Sequence, residues 1–300
     1  MPASAPQPAA AQSPPGAIDA HHHVWDLAAH AQPWLELPGH EPLLRNYSEA
    51  DLRPLANAAG VTATVVVQTV TEPAETPELL ALAAASDLIA GVVGWTDLQS
   101  PAVSELLAAL HERPGGHLLR GIRHPVLIEP DPDWLMRPAV LAGLAAVGAA
   151  GLCYDVVVAA DVLPAATEAA AANPGLTFVL DHLGNPRLDP RHDELWMADI
   201  RAMAALSNTV CKLSGVLSEP PEAQDAMAGN DVRHLIPYYE TVLAAFGPDR
   251  LMFGSDWPVC TLSASYAEVV SAARALTSGL SLSERTAIFS GTARRIYRLA

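Results

Sequence analysis

Ile18-Asp19-Ala20-His21-His22-His23-Val24-Trp25 is the first short apolar run of the chain, and its reading decides the fold. Seven more short runs rich in β-branched residues follow, at residues 62–69, 89–96, 118–123, 152–158, 176–181, 209–214 and 251–255. Between them lie Ala/Leu-rich segments with helical spacing at 76–85, 102–110, 132–150, 160–172, 195–206, 235–246 and 264–276. Strands alternating with helices imply parallel βαβ units, because a crossover helix must cover the sheet face that parallel strands bury. A doubly wound dinucleotide fold would place a glycine-rich turn after its first strand, and here that turn reads His-His-His-Val-Trp-Asp. No GxGxxG or GxxxxGK[ST] pattern occurs anywhere in the chain, so nucleotide phosphates have no cradle. The expectation is an α/β protein with a single (β/α)8 TIM-like barrel over residues 18–300, behind a disordered Ala/Pro-rich tail at 1–17.

Two long connections stand out. Residues 25–53, aromatic and proline-rich, separate the first two strands, and residues 217–233 follow the seventh. Both exceed ordinary loop lengths, as functional loops often do. Residues 283–299 read as a closing amphipathic helix with Ser283 as its N-cap.

Composition narrows the function. With 17 Lys+Arg against 33 Asp+Glu, the net charge is −16 over 300 residues, which disfavours nucleic acid and anionic membranes as partners and leaves a small-molecule substrate. No uninterrupted apolar stretch is long enough to span a bilayer. Cys153, Cys211 and Cys260 lie far apart without CxxC pairing, as expected of reduced, buried thiols in a cytoplasmic enzyme. Oligomeric state is left open, a homo-oligomer included.

In a barrel, chemistry gathers at the carboxyl ends of the strands. Polar residues fall there: His21 and His23, Arg123 and His124, Tyr154 and Asp155, Asp181 and His182, Lys212 and Ser214, and Asp256. Strand alternation puts Asp19, His21, His23 and Trp25 on one face and Ile18, Ala20, His22 and Val24 on the other, so His21 and His23 should enter the mouth without His22. Two imidazoles at n and n+2 can grip one cation or one substrate oxygen, although a solvated polar turn would look the same. Asp256 could cap a helix; opposite two histidines it can instead take a proton from an attacking water. His182 and Arg123 have ordinary structural readings too, as a satisfied histidine and an ion pair. Tyr154 and Lys212 could simply fill the rim. No GxSxG elbow or catalytic-cysteine signature is present, so activated water is favoured over an acyl-enzyme.

Asp19-x-His21-x-His23-x-Trp25, Pro33-Trp34-Leu35, Arg120–His124 ("RGIRH"), Leu180–Pro186 ("LDHLGNP"), Lys212–Gly215 ("KLSG") and Phe246–Val259 ("FGPDRLMFGSDWPV") together resemble the amidohydrolase-related lactonases. This branch of the amidohydrolase superfamily contains sugar-lactone hydrolases, of the L-fuconolactonase and L-rhamnonolactonase kind, and a pyrone-dicarboxylate lactonase. The resemblance implies a metal-dependent-hydrolase barrel that opens a lactone ring, with His21, His23, His182 and Asp256 on active-site positions and Arg123 and Tyr154 on substrate-contacting ones. His124, Trp25 and Trp34 join the substrate contacts, the two tryptophans as faces for a sugar. The wider superfamily's two-cation centre uses a Lys or Glu on the fourth strand and a His on the fifth, where this chain has Arg123 and Tyr154/Asp155. The expectation is therefore no required cofactor, or one weakly bound divalent cation such as Zn²⁺ on His21, His23 and Asp256. In the resulting scheme Asp256 activates water, His21 and His23 hold the carbonyl, His182 protonates the leaving alkoxide and Arg123 orients the substrate. A metal-dependent decarboxylase, or another hydrolase of the superfamily acting on a small carboxylic acid, is the enzymatic rival. A sugar-acid binding protein is the non-enzymatic one.

Overall fold

The computed structural model describes residues 16–188, 193–215 and 235–300. Eight parallel strands run in the order β1-β2-β3-β4-β5-β6-β7-β8. They are β1 (Ala17–His22), β2 (Val61–Val67), β3 (Ile89–Gly94), β4 (Leu119–Pro125), β5 (Cys153–Val157), β6 (Phe178–Leu180), β7 (Thr209–Leu213) and β8 (Leu251–Phe253). The sheet closes on itself through a parallel bridge between His22 and Trp257. Asp256 N–H donates to His21 O at 2.9 Å and His23 N–H to Trp257 O at 2.7 Å. The seam of the barrel thus passes through residues already singled out for chemistry.

Helices α1 (Glu49–Ala58), α2 (Glu75–Ala85), α3 (Val103–His111), α4 (Pro138–Ala149), α5 (Leu163–Ala172), α6 (Asp193–Ala204), α7 (Ile236–Phe246) and α8 (Tyr266–Leu276) alternate with the strands. All eight strand expectations hold, with no end moved by more than two residues. The long connection after β1 is shorter than its sequence pattern implied, because α1 already begins at Glu49, behind a Ser48/Asp51 capping box. The closing segment starts earlier than expected. Its N-cap is Ser281, whose hydroxyl accepts from Glu284 N–H, rather than Ser283. It also forms three pieces, α9 (Leu282–Thr286), a π turn at Ala287–Gly291 and α10 (Thr292–Tyr297). The insert at 217–233 and most of the expected tail at 1–17 lie outside the described residues.

Two apolar layers follow from strand alternation. Ile18, Ala20, Val65, Val67, Val93, Val179 and Met252 fill the barrel's interior, plugged from below by Ala293, Tyr297 and Leu299. The opposite faces, including Val66, Val92, Ile122, Phe178, Leu180 and Phe253, pack against the helices. In β1 the alternation breaks. Register shifts between Asp19 and His22 against β2 mark an irregularity of the bulge type, which changes which face a residue occupies. Ile18 and Ala20 therefore share the interior with the two site histidines. Asp19, expected beside them, instead accepts from Ser255 N–H at 2.8 Å and Tyr266 O–H at 3.1 Å on the helix side. Burial pushes its carboxyl up to about 6. His22 points away as expected and meets the Thr64 hydroxyl at 3.0 Å.

Candidate active site

At the top of the barrel, His21 Nε2, His23 Nε2 and Asp256 Oδ1 converge. The two nitrogens are 3.1 Å apart, and Asp256 Oδ1 lies 3.6 Å from the first and 3.5 Å from the second. His182 Nε2 approaches the same oxygen at 4.0 Å. His23 Nδ1 faces Val67 O at 2.8 Å. A carbonyl accepts, so His23 donates from Nδ1 and turns the Nε2 lone pair toward the carboxylate.

Beneath this triangle lies a layer of buried charge. Lys212, fully buried in β7, donates from Nζ to Asp155 Oδ2 at 2.5 Å, stands 3.0 Å from Asp181 Oδ1 and meets His21 Nδ1 at 3.1 Å. Tyr297 O–H donates to Asp155 Oδ2 at 2.6 Å from the floor. Arg123 donates to Asp181 Oδ2 at 3.3 Å and to Gln68 O at 2.6 Å. Its Nη1 comes within 3.4 Å of His21 Nε2. Burial works to neutralise Lys212, but Asp155 and Asp181 outweigh it and hold the ammonium above its ordinary value. Burial also works to raise Asp181, and there Lys212 and His21 prevail, keeping the carboxylate well below the usual range. Asp256 behaves alike: burial is outweighed by the histidines around it, His182 first, so it stays ionised. Burial lowers His21 and His182 below the ordinary histidine value. At neutral pH Lys212 and Arg123 are thus buried cations beside the ionised Asp181 and Asp256, with His21 and His182 uncharged.

Local backbone aims His182 and Asp256 into this constellation. His182, Leu183 and Asn185 all take positive φ, at 54°, 55° and 48°, a conformation costing roughly 1–2 kcal/mol per non-glycine residue. Asn185 Nδ2 bonding Val158 O and Trp196 Nε1 bonding Leu183 O pin the turn. Asp256 has φ 59°, and strain of this kind gathers where function over-determines geometry. Gly215 completes the arrangement: at φ +73°, a Cβ there would sit 2.4 Å from the His182 ring. His182 Nδ1 meets Ser214 Oγ at 2.9 Å, so the KLSG segment supplies the lysine, the serine and the space.

The structure brings His21, His23, His182, Asp256 and Arg123 together. It places the remaining sequence candidates elsewhere. Tyr154 faces the helices, edge-on to Phe178 with centroids 5.6 Å apart; alternation along β5 sends Asp155 inward in its stead. His124 stacks on Trp134 at 4.1 Å, donates to Glu129 at 2.7 Å and accepts from Trp95 Nε1 at 3.0 Å, on the outward face of β4. Trp25 is buried against Trp34 and Tyr47, its indole N–H donated to Arg45 O at 2.7 Å. It anchors the loop. Trp34 is half-buried, bonded to Gln32. Sequence reasoning undervalued Lys212 and passed over Gln68; the signal for the latter was a polar residue directly after the apolar run of β2.

Could this donor set hold a metal? His21, His23 and Asp256 form a group whose ligand atoms lie within metal-binding reach. A tetrahedral zinc, with ligands at about 2.0–2.2 Å, sets its ligand atoms about 3.3–3.6 Å apart, matching the 3.1–3.6 Å triangle. The forced Nε2 acceptor of His23 beside a carboxylate points the same way. The second group, His21, Asp181 and His182, is less suited, because the Asp181 oxygens already face Lys212 and Arg123. The residues fit one cation.

A family model for amidohydrolases matches residues 18–299. The chain belongs to the amidohydrolase family. This amidohydrolase is 40% identical, over 94% of its length and 96% of the relative's, to an L-fucono-1,5-lactonase of Burkholderia multivorans. It is 34% identical, over 84% of its length and 83% of the relative's, to an L-fucono-1,5-lactonase of Burkholderia ambifaria. A solved amidohydrolase from Burkholderia multivorans with bound zinc superposes with a TM-score of 0.87 at 38% identity, covering 95% of this chain and all of that one. The chain is a hydrolase with the barrel architecture of that family.

Proposed function

We propose that this amidohydrolase hydrolyses a sugar 1,5-lactone of the L-fuconolactone type to the open sugar acid. The observation that carries the reading is the convergence of His21, His23, His182 and Asp256 above a buried Lys212–Asp155–Asp181–Arg123 layer; the names of two relatives supply the substrate class. Water attacks the lactone carbonyl as Asp256 takes its proton, the carbonyl–ring-oxygen bond breaks, and the proton returns to the ring oxygen, which His182 holds. Arg123, fixed by Asp181 and Gln68, orients the substrate. A positioned base of this kind contributes about 10²–10⁴ in rate. His21 Nε2, His23 Nε2 and Asp256 Oδ1 would hold one divalent cation such as Zn²⁺, which when bound supplies Lewis acidity to a carbonyl and acidity to water. The three cysteines, all buried, suit a reducing cytoplasm. Among the described residues no helix is long and apolar enough to cross a membrane.

The decarboxylase reading is not favoured, because the interior position of β5 carries Asp155, already committed to Lys212 and Tyr297. A pH-indicator assay with L-fucono-1,5-lactone, other aldonolactones and a pyrone dicarboxylate, run with and without chelator, tests the proposal. Fast proton release from the aldonolactones is expected. Chelation should abolish it and Zn²⁺ restore it if the cation is needed; no release from any aldonolactone, even with added zinc, refutes the reading.

A further inference from the structure

The Arg120-Gly-Ile-Arg123-His124 motif contributes one arginine to the mouth, and its other arginine has so far had no part. Three residues along a strand span about 10 Å. Arg123 therefore serves the top of the barrel while Arg120, near the start of β4, sits at the bottom. There Arg120, Arg298, His111, His117, Gly151 and Tyr297 line a cavity of about 160 Å³, room for several waters at about 30 Å³ each and hence for a tetrahedral oxyanion.

Its lining is unusual for a chain of net charge −16. Among the described residues neither Arg120 nor Arg298 pairs with a carboxylate, and Arg120, unlike the partly buried Arg250 and Arg274, has no backbone carbonyl bound to its guanidinium either. Arg120 Nε is buried with no hydrogen-bond partner. Burial, then repulsion from the neighbouring Arg298 guanidinium, pulls Arg120 below the usual arginine value, so the two cations stand side by side at the cavity wall. Gly151, at φ +72°, makes room: a Cβ there would lie 3.3 Å from Arg298 Nη1. His111 donates its Nδ1 proton to Leu107 O at 2.9 Å, so its ring is held at the wall and the two guanidiniums are the donors that face the cavity.

We propose that this basal cavity is an anion site for a phosphate group, inorganic or carried on a phosphomonoester, held between Arg120 and Arg298. Two guanidiniums match a dianion in charge, and their forks match its oxygens. A singly charged sugar acid, the product of the proposed reaction, leaves one guanidinium unanswered. The occupant would lie against Tyr297, whose hydroxyl donates to Asp155 under the candidate active site.

Isothermal titration at constant ionic strength tests this, with inorganic phosphate, glucose 6-phosphate, gluconate and chloride as probes. Saturable binding of phosphate by the unmodified protein is expected, weakened about tenfold or more in Arg298→Gln, as the loss of a charge-assisted hydrogen bond implies. Arg298 is exposed, so the variant should fold and should turn over lactone as the parent does without phosphate. Tighter binding of glucose 6-phosphate identifies a phosphomonoester; equal or weaker binding identifies inorganic phosphate. No saturable binding, equal binding of phosphate and gluconate, or binding unchanged in Arg298→Gln would overturn the proposal and leave a solvated arginine pair.

Discussion

The same eight strands build both ends of this barrel, with opposite chemistry. At their carboxyl ends the inward positions are His21, Arg123, Asp155, Asp181, Lys212 and Asp256, most of them linked by polar contacts of 2.5–3.6 Å. Lower down, the inward positions are Ile18, Val65, Val93, Val179 and Met252, closed by Leu299. The lower layer stabilises without chemistry, each such side chain contributing about 1.5–3 kcal/mol by burial. The upper layer holds charges whose desolvation their mutual attraction only offsets, so it is sensitive to the loss of any single partner. Stability and reactivity are thus separated along one axis.

The strongest way to break this comparison is Asp256→Asn. Hydrolysis of the lactone should fall by about 10²–10⁴ in a variant that still folds; near-parental turnover would remove Asp256 from the mechanism. Lys212→Met strikes the charged layer instead. It leaves Asp155 and Asp181 buried without their cation, and chemical denaturation should show a loss of about 3–5 kcal/mol. Adding Asp155→Asn should recover part of that loss, since it removes one stranded charge. In the apolar layer, Ile18→Val should cost about 0.5–1.5 kcal/mol and leave kcat/KM unaltered. A drop in kcat/KM there would show that the two layers are not separable.

The smallest effect belongs to the rim. His30, in the loop after β1, lies 2.7 Å from Glu72 and 2.9 Å from Glu78. The hydrogen bonds to Glu72 and then Glu78 raise its pKa above 6.5. A raised histidine stabilises fully below its unfolded value, and the gain fades as pH climbs through the folded one. The stability difference between the parent and His30→Gln, less than about 1 kcal/mol for so exposed a cluster, should therefore shrink from pH 6 toward alkaline pH. A difference that grows with pH contradicts the clamp.

Much of the mouth was legible because strand periodicity and polar strand ends are local signals. His21, His23, Arg123, His182 and Asp256 all lie where an apolar run stops. Facing was harder to read. In β5 the sequence alone offers Tyr154 and Asp155 equally, and nothing local shows that Tyr154 O–H turns to the helix layer while Asp155 meets Lys212, 57 residues away. His124 was misplaced for the same reason: its partners Trp95, Glu129 and Trp134 come from neighbouring loops.

Sequence alone therefore determined the alternating strands and helices, the barrel they imply and the family, since hydrophobic period and motif order are properties of the chain itself. Tertiary structure decided the rest. It set the irregularity in β1 that parts Asp19 from His21, the burial of Lys212 between two carboxylates, and the closeness of His21, His23 and Asp256 across the seam. These depend on register and on pairs distant in the chain, and a buried charge reveals its partner only when both have been withdrawn from water into the same place.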